Sequence, residues 1–261
     1  MRLVARIFLS LVMVGSPGLL WSGVLVWNHN TLEFTDPESL LSVNPSVSIA
    51  ETLHNNGVWR VDITDTLPSS LSFYDAVFVL LGSYPMDGDL TVAQQDILTG
   101  YVNSGGSLYI EGGDFGNDYS STNLFQMTGA TFSNDGRIYT EGNVDVLEGM
   151  SGGDFASFSF TYYAYMTELP DNYVDEISAP VETITFISQK AGVVSNMRCV
   201  FKHDIGINGG KIYYSTIIFG SLKDGSGICT KNTLMGKIIS LLDIGVGVQP
   251  TSLGYIKSLY R

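Results

Sequence analysis

The sequence predicts an α/β protein with a mostly parallel sheet, interrupted between about residues 131 and 210 by an antiparallel β-rich insertion. Two observations carry this. From Val24 to Ala130, short continuous apolar runs ending in polar residues or glycine alternate with segments of helical period. That is the pattern of strands buried on both faces and joined by right-handed crossovers. From Thr131 to Gly210 the runs become short and alternating, separated by Gly, Asn and Pro, as in hairpins.

The elements follow in order. "GVLVWNHN" predicts a first buried strand that stops abruptly in polar residues. In "NPSVSIAETLHNNG", Val47, Ala50, Leu53 and His54 recur at helical spacing and Gly57 terminates the helix. "VWRVDIT" and "YDAVFVLLGSYP" predict two more strands. "DLTVAQQDILTGYVNSGG" has a capping Thr91, then Gln94, Ile97, Leu98, Tyr101 and Val102 on one face, and stops at Gly105 and Gly106. The strand "SLYIEGGD" completes this half.

The insertion supplies "RIYTEG", "SFSFTYYAYM", "VETITFIS" and "MRCVFKHD", with "HDIGINGGK" as a hairpin turn. Its aromatic run "FASFSFTYYAYM" alternates, placing Phe155, Ser157, Ser159, Thr161, Tyr163 and Tyr165 on one face and Phe158, Phe160, Tyr162 and Met166 on the other. Core burial on both faces is expected. "KIYYSTIIFGS" adds a strand, and "TKNTLMGKIISLLDIG" a closing helix with Leu234, Ile238, Leu241 and Leu242 inward.

Composition bounds the function. The 261 residues are 44% hydrophobic, enough for a full core. With 13 Lys+Arg against 26 Asp+Glu, the net charge of -13 repels phosphate backbones, so nucleic acid is set aside as a partner. Arg2 and Arg6 precede an apolar core from Ile7 to Val14, followed by Ser16, Pro17 and Gly18. This is the layout of a secretory signal peptide over residues 1–23, and it implies a secreted or cell-surface protein. Apolar character resumes in "LLW" and "VLVW", so an uncleaved anchor is the alternative and the only expected route to a membrane. Residues 24–245 then form one domain, and 246–261 a basic tail. Cys199 and Cys229 lack C-x-x-C spacing for zinc, and pairing between them is left open.

Ligands of open α/β sheets sit beyond the carboxyl ends of the strands. That rule gathers Asn28, His29 and Asn30 after the first strand, Ser83 and Tyr84 after the third, and Glu111 and Asp114 after the fourth. Amides, a hydroxyl and an aromatic face suit a sugar, and Glu111 with Asp114 suits a divalent cation, although local turn bonding by Asn and Asp accounts for the same residues. The clusters "MDGDL", "GGDFGND" and "KDGSG" lack the EF-hand pattern and are read as turns. Cys199 and His203, four residues apart, lie about 13 Å apart on an extended strand and form no dyad.

The runs "VLVW", "YDAVFVLLGS", "YVNSGG", "SLYIEGGD" and "GGKIYYSTIIFGSLKDG" together resemble the class I glutamine amidotransferase-like superfamily, nearest to its ThuA-like and other non-classical branches in exported bacterial proteins. The resemblance spans roughly Val24 to Ile244 and implies a flavodoxin-like three-layer sandwich. In catalytic members a strand-turn-helix elbow holds a Cys, assisted by a later His and carboxylate. The corresponding turn here is "EGGDFG", and no residue from Glu111 to Gly116 is Cys, Ser or Thr. A nucleophile elbow needs an activatable oxygen or sulfur. The sequence therefore favours a non-catalytic exported module that binds a carbohydrate or a cell-surface protein, with no cofactor and no assigned metal. A carbohydrate-directed hydrolase or isomerase using Glu111, Asp114 and His29 is the first alternative. A structural piece of a surface assembly is the second.

Overall fold

The computed structural model describes residues 23–84, 87–135, 144, 146–162, 174–190 and 193–246. The expected signal peptide, nearly all of the tail, "RIYTEG" and the end of "SFSFTYYAYM" lie outside them. The chain opens with β1 (Gly23–Asn28), a small hairpin of β2 (Phe34–Thr35) and β3 (Ser42–Val43), and α1 (Pro45–Asn55). Then come β4 (Val61–Thr64), β5 (Tyr74–Gly82), α2 (Val92–Asn103), β6 (Ser107–Gly112), α3 (Phe115–Tyr119) and α4 (Asn123–Met127). The insertion provides β7 (Thr131–Asn134), β8 (Val146–Gly149), β9 (Ser159–Tyr162), β10 (Glu176–Ser178), β11 (Ile184–Lys190) and β12 (Val193–Ile205). β13 (Gly210–Ser215), β14 (Leu222–Lys223) and α5 (Lys231–Leu241) complete it.

The main sheet is mixed, in the order β14-β9-β8-β11-β12-β13-β6-β5-β1-β4, with β10 and β7 branching from β12. The strands β13, β6, β5, β1 and β4 are parallel. Read from the β4 edge, they are second, first, third, fourth and fifth in chain order, which is the flavodoxin order. The remaining pairings are antiparallel and belong to the insertion and its edge partner.

Alternation along the parallel strands divides the core in two. Val24, Val26, Phe78, Leu80, Tyr109 and Tyr213 face Ile49 and Leu53 of α1 and Leu234, Met235 and Ile238 of α5. Leu25, Trp27, Val77, Val79, Ile110 and Tyr214 face Leu98 and Val102 of α2, Phe115 of α3 and Phe125 of α4. The continuous apolar runs are thus consumed on two sides. "VLVW" is one of them: it is β1, fully inside the sheet, so any membrane-spanning run must end before Gly23.

Two local expectations change and one is met. The inner face of α1 is Ser46, Ile49, Ala50 and Leu53, with Ile49 and Leu53 packed in the core, while Val47 and His54 point outward. In β9, Phe160 and Tyr162 are buried but Ser159 and Thr161 are exposed, so the described part of the aromatic strand has one core face. The hairpin between β12 and β13 forms as expected, its reversal absorbed by positive φ at Asp204, Gly206 and Gly209.

Candidate functional site

The turn after β6 is the elbow that the sequence resemblance singles out. Its backbone is relaxed: neither Gly112 nor any residue from Gly113 to Gly116 has positive φ. Gly113 donates its N–H to Gly82 O at 2.8 Å, tying the turn to the end of β5. On the far side its carbonyl accepts from the Asp175 N–H at 2.7 Å. A segment of the insertion therefore occupies the mouth of the elbow.

Asp175 also turns its carboxylate onto the first turn of α3. Its Oδ2 accepts from Gly116 N at 2.5 Å and Asn117 N at 3.2 Å. Gly116 is required here, because a Cβ at that position would lie 2.9 Å from Asp175 Oδ2. Arg198 of β12 holds the same segment from behind, donating to Val174 O at 2.8 Å, Asp175 O at 2.7 Å and Ser188 Oγ at 2.9 Å, with Glu176 3.6 Å away. Burial, together with the charge on nearby Asp114, pushes the Asp175 carboxyl up to about 8 against the Gly116 and Asn117 N–H groups, which lower it.

Asp114 caps the other rim. Its Oδ2 accepts from Tyr84 N at 2.9 Å and Ser83 Oγ at 3.4 Å. Desolvation raises it to about 7, opposed by the Tyr84 N–H and reinforced by Asp87, Asp135 and Asp118. Between Asp87, Asp114, Asp118 and Tyr119 remains a void of about 10 Å³. Among the described residues the crevice has room for about one water, far below the several hundred Å³ of a small-molecule site.

The seven residues predicted from sequence are not gathered in one pocket. Ser83, the Tyr84 backbone and Asp114 meet, and the Tyr84 ring stands in solvent. Asn30 bonds Leu80 O, Asn28 Oδ1 and Leu32 N, so the two amides hold the chain reversal after β1. His29 stacks on Trp27 at 4.4 Å and contacts Asp89 O at 2.8 Å, beneath the loop at Gly88. Glu111 faces the opposite side of the sheet, accepting from Tyr109 Oη at 2.8 Å and Phe219 N at 2.9 Å. The pair Glu111 and Asp114 therefore does not share a cation, and no group of three His, Cys, Asp or Glu among the described residues is arranged to hold a metal.

Burial raises Glu111 to about 7, and its Oε1 has no hydrogen-bond partner. A void of about 20 Å³ lies next to its partners, lined by Tyr109, Cys199, Ser215 and Phe219 among others. Cys199 is buried and its thiol is pushed up to about 12 by desolvation. His203 is exposed and bonded to Asp204, so no Cys-His dyad forms, and both cysteines are free thiols.

Asp175 and Arg198 escaped the sequence reading. The signal was present as opposite charges inside two apolar alternating runs, "YVDEIS" and "MRCVF", where an unpaired charge would be costly.

No protein-family model matches this sequence, and no curated protein does. Similar solved structures include the mmIFT52 N-terminal domain, 14% identical with a TM-score of 0.55 over 87% of this chain and 99% of that one. They also include the β-galactosidase from Bacillus circulans sp. alkalophilus, 16% identical with a TM-score of 0.51 over 85% of this chain and 31% of the enzyme. This chain thus spans about a third of that enzyme's length. A ThuA-like protein from Parabacteroides merdae is 14% identical with a TM-score of 0.49, over 88% of this chain and 93% of that one. At such identities the likeness is of fold: this chain has an α/β architecture found nearly entire in the mmIFT52 domain and as one portion of the β-galactosidase.

Proposed function

We propose that this protein is an exported, non-catalytic binding module on a three-layer amidotransferase-like fold. The observation that carries the reading is the filled elbow. Where the catalytic relatives implied by the sequence resemblance would present a nucleophile, Gly113 is clamped by Asp175 of the insertion, and the adjoining void holds about one water. Covalent chemistry needs an activatable atom and space for substrate, and this turn offers neither. Binding is then assigned to the outer surface. The solvent face of β9, with Ser159 and Thr161, belongs to the insertion and is the face we assign to a carbohydrate or a cell-surface protein.

The alternative of a carbohydrate-directed hydrolase has one observation in its favour: Asp114 and Asp175 are held near neutral protonation, the range of a general acid. Both carboxylates are occupied by backbone N–H groups, which places them in the clamp. The test assays turnover of aryl glycosides and aryl esters, and binding to a glycan and envelope-protein panel, for the parent, Asp114→Asn and Thr161→Arg. The module reading expects no turnover, binding retained in Asp114→Asn, and binding weakened in Thr161→Arg. Turnover abolished by Asp114→Asn would establish the hydrolase instead.

A further inference from the structure

Exposed large apolar side chains occur at both ends of the sheet, with Leu40, Leu41, Tyr84 and Val92 at the carboxyl end and Phe73, Ile207, Val246 and the partly covered Trp59 at the amino end. Trp59 lies two residues before β4, Phe73 immediately before β5, Ile207 in the turn leading to β13 and Val246 just beyond α5. They are 39%, 73%, 99% and 57% exposed. The parallel register puts them together: Val61 lies opposite Val24, Tyr74 opposite Gly23, and Ser107 opposite Ala76 and Lys211. All four positions therefore share the amino end of the parallel strands. Five strands at about 4.8 Å spacing make that end about 20 Å wide.

The described chain also enters and leaves here. Gly23 pairs with Tyr74, and Gly245 packs beside the Asp75 carboxylate. In the uncleaved chain the 22 residues before Gly23 are the apolar stretch headed by Arg2 and Arg6, and the 15 after Val246 interleave Leu253, Tyr255, Ile256, Leu259 and Tyr260 with Lys257 and Arg261. Apolar, aromatic and cationic residues in that mixture are the composition of segments that meet a bilayer interface.

Charge separates the two ends. At the amino end Arg60 pairs with Asp62 at 3.2 Å, Lys211 with Asp243 at 2.5 Å, and His203 with Asp204 at 2.5 Å, while Asp75 is one further carboxylate there. The carboxyl end carries Glu33 after β1, Asp87 and Asp89 after β5, and Asp118 after β6, besides Asp36 and Glu38, which pair with Lys231, and the buried Asp114. A negative lipid surface repels the second end more than the first.

We infer that the amino end of the parallel strands is the face this protein turns to a phospholipid surface. Trp59 and Phe73 meet the headgroup layer, where amphipathic and aromatic rings are favoured, with Ile207 and Val246 in the same plane. The sheet stands upright, its acidic end and the clamped elbow directed away from the bilayer. This orientation goes beyond the binding reading and does not depend on it, since none of the four side chains belongs to the crevice.

The test uses the full chain, residues 1–261, on phosphatidylcholine vesicles containing headgroup-proximal nitroxide lipid. An environment-sensitive fluorophore is attached at Phe73→Cys, Ile207→Cys or, at the opposite end, Tyr84→Cys, each with Cys229→Ser. All three sites are on the surface, so folding is not at stake. The expected result is a blue shift and quenching at 73 and 207, with neither at 84. Equal quenching at all three positions would mean that residues 1–22 merely tether a tumbling domain, and would overturn the inference. Quenching at 84 alone, or a chain that does not float with the vesicles, would overturn it as well.

Discussion

Glu111 makes the protein's stability depend on pH in a direction opposite to that of an ion-paired carboxylate. Its folded value rises from 4.5 to about 7 because burial disfavours the charge, and the hydrogen bonds from Phe219 N–H and Tyr109 O–H only partly offset this. Between these values the folded state holds a proton that the unfolded state has released, so stability is fully present below about pH 4.5 and is lost as pH rises through about 7. The linkage relation gives a penalty of about 1 kcal/mol at pH 5 and about 3 kcal/mol at pH 8, a difference of about 2 kcal/mol. Glu111→Gln keeps an acceptor for both donors but cannot ionise. Any constant packing cost of the amide cancels when each protein is compared with itself at the two pH values. Urea unfolding at pH 5 and pH 8 should therefore show the parent losing about 2 kcal/mol more than the variant, equivalent to about 1 M in midpoint. Parallel losses in the two proteins would refute the assignment of Glu111 as a buried, protonated carboxyl.

Other predictions concern the clamp, the helix pair and the thiols. Asp175→Ala leaves the Gly116 and Asn117 N–H groups without their acceptor and should cost about 1–3 kcal/mol, with faster hydrogen exchange at those two amides than at the centre of β5. Unchanged exchange there would deny the clamp. Gly236→Ala in α5 should not yield the usual helix gain of about 1 kcal/mol, because the new Cβ would meet Asn56 Oδ1 at 2.7 Å. Adding Asn56→Ala should restore that gain in a double-mutant cycle, and an additive cycle would show that the contact is not the obstacle. With a thiol reagent the native protein should show one fast site, Cys229, and one site, Cys199, that reacts only at the rate of unfolding. Two fast thiols would contradict the burial of Cys199.

The parallel half of the sheet was legible because its strands are buried on both faces. "VLVW", "YDAVFVLLG" and "SLYIEG" are continuous apolar runs, and each became β1, β5 or β6 in turn. The hairpin at "HDIGINGG" was legible through its glycines. The helices α3 and α4, five residues each, were not, since one turn and a half is too short to display a period. The phase of α1 was missed for a related reason: Val47 is apolar but exposed, and the buried polar Ser46 carries no hydrophobic signal. At the candidate site, strand parity already separated Glu111, which shares a face with Tyr109, from the turn residue Asp114 three positions on. What sequence could not supply was the partner of Asp114 across the elbow. Asp175 comes from the insertion, and its approach to Gly116 is a tertiary contact with no local pattern.

The pairing of β6 with β13 sets the order in which this chain can fold. Ser107 lies beside Lys211, with the whole insertion strung between them, so the contact must await closure of a very long loop. Pairings of that separation slow folding, and until β13 arrives the outer edge of β6, rich in apolar residues, is open to any other strand. A chain truncated anywhere in the insertion would keep that edge permanently. Its fate would be aggregation, and the strand most responsible would be the one that leads into the glycine turn.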